Sequence, residues 1–111
     1  MRFDELYERY LEERQATSVV KGAKSFATYR FVDQYIYLED IFVLPECRDA
    51  DEGKQLLEAV AAIGRAKGYS KLMGSVVPSL PGAARMLRVM LHVGFELHAS
   101  EKDIVYLVKE I

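Results

Sequence analysis

Few side chains in this sequence have both the type and the setting to move a proton or hold an anion. Glu39 is the foremost. It lies in Tyr35 to Leu44, where strand alternation sets its carboxylate beside Tyr37 and Ile41. Such neighbours exclude water and raise a glutamate pKa towards the range where it accepts a proton as a general base. The same carboxylate could instead face a solvated groove or pair with Arg30 across a hairpin, while Asp40, on the opposite face, satisfies backbone or a cation. A second cluster, Arg48, Asp49, Asp51, Glu52 and Lys54, stands where a helix begins and carries one net negative charge. Acids there act as caps and match the helix dipole. Cys47 has no base placed beside it and reads as a bystander. His92 suits the C-terminal end of a helix. One thiol with two scattered histidines, His92 and His98, makes no zinc spacing, so no metal is expected.

Hydrophobic periodicity outlines the elements that must position these groups. Phe3, Leu6, Tyr7, Tyr10 and Leu11 recur at spacings of three and four and predict an amphipathic helix over 3–14. Ser18 to Val20 and Ala23 to Phe31 read as strands joined by a turn at Lys21-Gly22. Tyr35 to Leu44 gives the strongest strand signal. Tyr35, Tyr37, Ile41 and Val43 fall on one face, with Ile36, Leu38, Phe42 and Leu44 on the other, as in a strand covered on both sides. Leu56, Val60 and Ile63 mark a helix over 53–67 capped by Gly68. Lys71 to Val77 is the next strand, and Pro81 opens a helix carrying Met86, Leu87, Met90 and Leu91 and ended by Gly94. Phe95 to Ala99 and Asp103 to Val108 close the chain as a strand pair. Tyr7, Tyr10, Tyr29, Tyr35 and Tyr37 are expected under the first helix. This order predicts an α/β fold: a mixed, mostly antiparallel sheet with one right-handed parallel strand-helix-strand crossover.

Length and composition bound the rest. The 111 residues make one domain, 1–111, with 50% hydrophobic and 29% charged side chains. A net charge of −2 and a pI near 5.7 argue against nucleic acid as partner. No apolar run approaches the roughly 20 residues of a membrane span, and Met1-Arg2-Phe3-Asp4-Glu5 does not open a signal peptide. A cytoplasmic protein with no membrane partner is expected.

Tyr37-Leu38-Glu39-Asp40-Ile41-Phe42-Val43-Leu44-Pro45-Glu46-Cys47-Arg48, followed by Gly53-Lys54-Gln55-Leu56-Leu57, resembles the GNAT superfamily of acetyl-coenzyme-A-dependent N-acetyltransferases. Gly94-Phe95 after the strand Met73 to Val77, and Phe26 to Arg30 before the central strand, fit the same family. The stretch Tyr37 to Val43 is similar to the spermidine/spermine N-acetyltransferases, and the length is similar to compact phage-encoded forms. The resemblance implies a GNAT-like sheet shortened on its N-terminal side, acetyl-coenzyme A as cosubstrate, and an amine acceptor, polyamine-like or a protein amine. It assigns Glu39 as base, main-chain groups of Ile41, Phe42 and Val43 to the pantetheine amides, and Arg48, Asp49, Ala50, Asp51, Glu52, Gly53 and Lys54 to the pyrophosphate loop.

Three positions depart from that family. Its loop reads Gln or Arg, any two residues, Gly, any residue, then Gly or Ala, and Asp51 stands at the first glycine. A carboxylate about 6 Å from a phosphate charge costs from roughly 0.7 kcal/mol in water-like dielectric to about 3 kcal/mol at an effective dielectric near 20. Met90 occupies the place of a tyrosine that often serves as general acid, and Leu80 that of a common asparagine. Asp51, Leu80 and Met90 together also fit a binding protein that kept the fold and acts by protein-protein contact. The shortened sheet and the tyrosine-rich first helix predict a homodimer.

Overall fold

The computed structural model describes residues 1–48 and 51–111. Helix α1 (Phe3–Gln15) leads into strands β1 (Ser18–Lys21), β2 (Ser25–Val32) and β3 (Tyr35–Val43). Helix α2 (Glu52–Ala66), strand β4 (Lys71–Val76), helix α3 (Ala83–His92) and strands β5 (Glu96–Glu101) and β6 (Ile104–Glu110) follow. The six strands form one sheet in the order β1-β2-β3-β4-β6-β5. Among the described residues only β3 and β4 pair in parallel, as the crossover through α2 requires. The fold is the mixed α/β sheet expected from the order of elements.

Both α2 and α3 cover one face of this sheet. Ala27, Tyr29, Ile36, Leu38, Leu72, Val76 and Leu107 meet Leu56, Leu57 and Val60 of α2 and Met90 of α3 in a continuous core. The close approach of α2 depends on Gly64, where an added Cβ would stand 2.9 Å from Ile36 Cγ2 and 3.0 Å from Ile111 Cδ1. Gly68, at φ 87, ends α2 by donating its N–H to the Arg65 carbonyl at 3.0 Å.

The expected faces of β3 require correction. Tyr29 pairs with Leu38 but Thr28 pairs with Asp40, so Glu39 is an extra residue in the strand. Such a bulge resets the alternation. Ile41 and Val43 therefore share the helix-covered face with Ile36 and Leu38, and both face Gly53 of α2. Phe42 turns to the opposite, open face, where it meets Phe26 at 6.1 Å. Asp40 joins Glu39 on the open face instead of opposing it.

The aromatic expectations also change. Of the apolar residues of α1 only Leu11 is buried, while Phe3, Tyr7 and Tyr10 stack along its exposed side. Tyr29 sits in the core beneath α2, and Tyr35 reaches His98 on β5. The helix is held to the β1 edge by ion pairs from Lys21 to Glu8 and to Asp4. Pro81 precedes α3 instead of opening it, since Gly82, at φ 80, takes the N-cap position. Among the described residues no helix is long and apolar enough to cross a membrane.

One carboxylate ties the first hairpin to α2. Glu52 Oε1 accepts the Lys24 N–H at 2.7 Å and the Ser25 hydroxyl at 2.8 Å. Gly22 permits this closure, because a Cβ there would collide with Ser25 Oγ and lie 2.9 Å from Glu52 Oε1. The Lys24 N–H, and after it the Ser25 hydroxyl, hold the Glu52 carboxyl below its ordinary pKa. A depressed carboxyl pKa adds stability that is complete above the unfolded value and lost as pH falls through the folded one. Glu52→Gln should accordingly lower the thermal midpoint at pH 7, with the two proteins converging on acidification to about pH 3. A difference that persists unchanged at that pH would show that the charge is not the source.

Candidate active site

The β3–β4 ladder is three pairs long, Ile36 with Leu72, Tyr37 with Met73 and Leu38 with Gly74. Beyond it β3 follows β2 as far as Val43 with Ser25, while β4 follows β6 as far as Val76 with Val105. The strands part at the Glu39 bulge. Between them opens a cleft of about 910 Å³ bounded by Ile41, Phe42 and Val43 on β3, Val76 on β4, the start of α2 and the facing side of α3. Of the proposed coenzyme residues, Ile41, Phe42, Val43, Arg48, Asp51, Gly53 and Lys54 line it. Asp49 and Ala50 lie outside the described residues.

At the mouth, the first turn of α2 supplies main-chain donors. Gln55 is the first residue whose N–H returns to the Asp51 carbonyl, at 3.0 Å, which leaves the N–H groups of Gly53 and Lys54 without an intrahelical acceptor. Such a terminus favours an anion. Asp51 occupies the N-cap at φ 59 and makes no side-chain capping bond, contrary to the capping role expected of it. This left-handed conformation suits glycine, and aspartate tolerates it better than most residues. Gly53 has ordinary room towards Val43 and Ile41, so its position accepts glycine or alanine alike.

The side chain of Glu52 leaves the site. Its carboxylate belongs to the β1–β2 turn, so the expectation that it borders the coenzyme loop is corrected for its side chain. Arg48 anchors the loop: its Nε donates to the Val43 carbonyl at 3.0 Å and its guanidinium lies 5.7 Å from the Phe42 ring. Arg85 of α3 and Lys109 of β6 add positive charge from across the cleft. Four cations, Arg48, Lys54, Arg85 and Lys109, then face three carboxylates, Asp40, Asp51 and Glu58. The negative balance of the isolated loop is thus reversed by residues distant in sequence. Nothing in the local spacing of Arg85 or Lys109 signals this, because the crossover and the β4–β6 pairing create it.

A smaller cavity of about 120 Å³ adjoins the cleft where the strands part, and Glu39 lines it. Glu39 Oε1 accepts the Thr17 hydroxyl at 2.7 Å and faces Arg30 Nε at 3.5 Å. The apolar enclosure expected from Tyr37 and Ile41 is therefore not formed, since the bulge moves Ile41 to the other face and leaves Glu39 exposed. The pairing with Arg30 is the alternative that the hairpin allowed. Tyr37 instead meets β4, its hydroxyl 2.5 Å from Ser75 Oγ. Met90 is buried, with its methyl carbon in the space above Gly74, where a Cβ would stand 2.5 Å away. Leu80 is exposed at the cleft rim. Cys47 ends a short 3-10 turn as a partly buried free thiol. His92 lies in the last turn of α3, as its dipole reading anticipates. Among the described residues no group of His, Cys, Asp and Glu is gathered to hold a metal.

Solved structures share this arrangement. A GNAT-family protein from Desulfovibrio desulfuricans superposes with a TM-score of 0.77 at 20% identity, covering 96% of this chain and 77% of that one. The PaiA N-acetyltransferase of Thermoplasma acidophilum, solved with coenzyme A, gives 0.76 at 15% identity over 96% of this chain and 69% of that one. A GNAT-family acetyltransferase of Elizabethkingia anophelis with acetyl-coenzyme A bound gives 0.72 at 17% identity over 96% and 82%. No curated protein sequence matches the chain. The model of the acetyltransferase (GNAT) family matches residues 4–91, which takes in α1, the bulged central strand, the α2 crossover and nearly all of α3. With the splayed β3–β4 pair and the open N-terminus of α2 in place as well, the chain belongs to the GNAT acetyltransferase family.

Proposed function

We propose that this chain transfers an acetyl group from acetyl-coenzyme A to an amine by direct attack, with Glu39 as general base. One observation carries the proposal: the cleft reaches from the N-terminus of α2 along the opened edge of β3, and the smaller cavity lined by Glu39 adjoins it where the strands part, sharing Leu38, Asp40 and Ile41 with it. Acetyl-coenzyme A supplies an acetyl group activated as a thioester. Main-chain groups of Ile41 and Phe42 pair with the extended pantetheine arm as an added strand would. The Val43 carbonyl already accepts from Arg48, so that residue fixes the loop at the end of the strand. The Gly53 and Lys54 N–H groups and the Arg48 guanidinium take the pyrophosphate. An N–H of the opened edge polarises the thioester oxygen.

Glu39 and Asp40 share the open face and draw an ammonium to the smaller cavity. Glu39, fixed by Thr17, accepts the proton of the attacking amine directly or through water. A polyamine-like molecule or a protein amine satisfies this geometry. The free thiol of Cys47 accords with a cytoplasmic setting. A second reading, a binding protein with impaired catalysis, is favoured by Asp51 on the cleft wall and Met90 buried in the core. A homodimer is proposed on the exposed Phe3-Tyr7-Tyr10 stripe of α1.

Three measurements follow from these arguments. Asp51→Gly relieves a left-handed aspartate and removes a carboxylate from the phosphate site, so acetyl-coenzyme A should bind about threefold tighter or better at low salt, with a smaller gain at high salt. Calorimetry decides it, and no binding by either protein would end the coenzyme reading in favour of the binding protein. Glu39→Gln keeps an oxygen for Thr17 but loses the base, so turnover at neutral pH should fall roughly 10²-fold or more at nearly constant coenzyme affinity. Undiminished acetylation would remove Glu39 from the mechanism. Light scattering at micromolar concentration should report a dimer that Tyr7→Glu dissociates; a monomeric wild-type protein would overturn the assembly.

A further inference from the structure

The proposed reaction needs a proton for the departing sulfur, and the residue at the family's usual tyrosine position cannot supply one. Met90 has no exchangeable proton, and its side chain is committed to the core over Gly74. The cleft and the smaller cavity have six residues in common: Leu38, Asp40, Ile41, Ser75, Met86 and Met90. Among them only Asp40 and Ser75 have polar side chains. Asp40, as a carboxylate, accepts hydrogen bonds and suits the incoming ammonium, which leaves the Ser75 hydroxyl as the side-chain donor.

The position of Ser75 follows from strand pairing. Gly74 makes the last pair with Leu38, so Ser75 is the first residue of β4 freed from β3. It stays anchored on its other side, because β4 continues to β6 with Ser75 opposite Tyr106. Ser75 and Tyr37 share the open face, and their oxygens lie 2.5 Å apart, so one hydroxyl donates to the other. Both residues are half-buried, which keeps the pair in place.

Resting on the acetyltransferase reading, we infer that Ser75 donates the proton to the leaving sulfur and that Tyr37 is the positioning residue that replenishes it. In this step the amine nitrogen bonds to the acetyl carbon and the carbon–sulfur bond breaks, its electron pair remaining on sulfur. Sulfur takes the proton of the Ser75 hydroxyl, the serine oxygen takes that of Tyr37, and the tyrosine recovers one from water. The proton lost by the amine goes to Glu39 and from there to water, so the two transfers balance.

The test combines kinetics with a binding comparison that needs no turnover. Ser75→Ala should lower kcat at least tenfold with KM for acetyl-coenzyme A within about twofold of wild type, the range in which a lost general acid falls. Ser75→Thr, which returns a hydroxyl, should recover most of that loss, and Tyr37→Phe should lower kcat by less than Ser75→Ala. By calorimetry, wild-type protein should prefer coenzyme A over desulfo-coenzyme A by a few fold, and Ser75→Ala should abolish the preference. Wild-type kcat in Ser75→Ala, or a loss that Ser75→Thr fails to restore while folding is intact by thermal melting, would overturn the inference. If wild-type protein binds coenzyme A but acetylates no amine, the acetyltransferase reading falls, and the desulfo comparison alone judges the contact of Ser75 with sulfur. Absence of binding overturns both.

Discussion

Everything at the centre of this molecule depends on how far two parallel strands stay paired. β3 must satisfy β2 through a bulged register, and β4 must satisfy β6 through an unbroken one. A bulge bends its strand and increases local twist. The two strands consequently share only the stretch from Ile36 to Leu38 before they part. Main-chain groups beyond that point still require partners, because a buried and unpaired peptide group costs free energy comparable to a lost hydrogen bond. The cleft meets that requirement by admitting water or an extended ligand. One inserted residue, Glu39, therefore both opens the strand edge and carries the carboxylate beside the opening.

The same constraint fixes the helices. Because the bulge brings Ile41 and Val43 onto the face already occupied by Ile36 and Leu38, the whole inner length of β3 packs against α2. Gly64 lets the far end of α2 approach Ile36, and Glu52 ties its near end to the β1–β2 turn. The first turn of α2 is thereby held at the cleft mouth, where Gly53 and Lys54 line the opening. That arrangement separates two carboxylates adjacent in sequence. Glu52 is consumed by structure, and Asp51 remains at the cleft wall in a backbone conformation that glycine would adopt more readily.

Most of the fold was legible because its signals are local. Alternation marked the strands, three-and-four spacing marked the helices, and Gly68 and Gly94, both of positive φ, bounded helices. The two faces of β3 were misassigned because alternation counts residues and has no means of detecting an unpaired one. Tyr29 was placed under the wrong helix for a related reason, since a strand residue's face is defined only once its partner is known. The candidate base was legible from its strand and motif, but its surroundings were not. Thr17 and Arg30 reach Glu39 from the α1–β1 junction and from β2, 22 and 9 positions away. Arg85, Lys109 and Ser75 carry no local signature, because pairing and crossover alone bring them to the cleft.

Met90 illustrates how packing and chemistry compete for one position. Gly74 leaves a gap in β4 that a side chain from α3 must fill, and a flexible, unbranched methionine fills irregular gaps well. Its methyl occupies the volume a Cβ would take and brings no polar group that would need a partner there. A hydroxyl directed into that apolar space would need a hydrogen-bond partner or pay a desolvation cost. The hydroxyls lie instead on the other side of the sheet, where Tyr37 and Ser75 satisfy each other at the fork between the strands. Apolar side chains thus line one face of the fork while the hydroxyls of Tyr37 and Ser75 gather on the other.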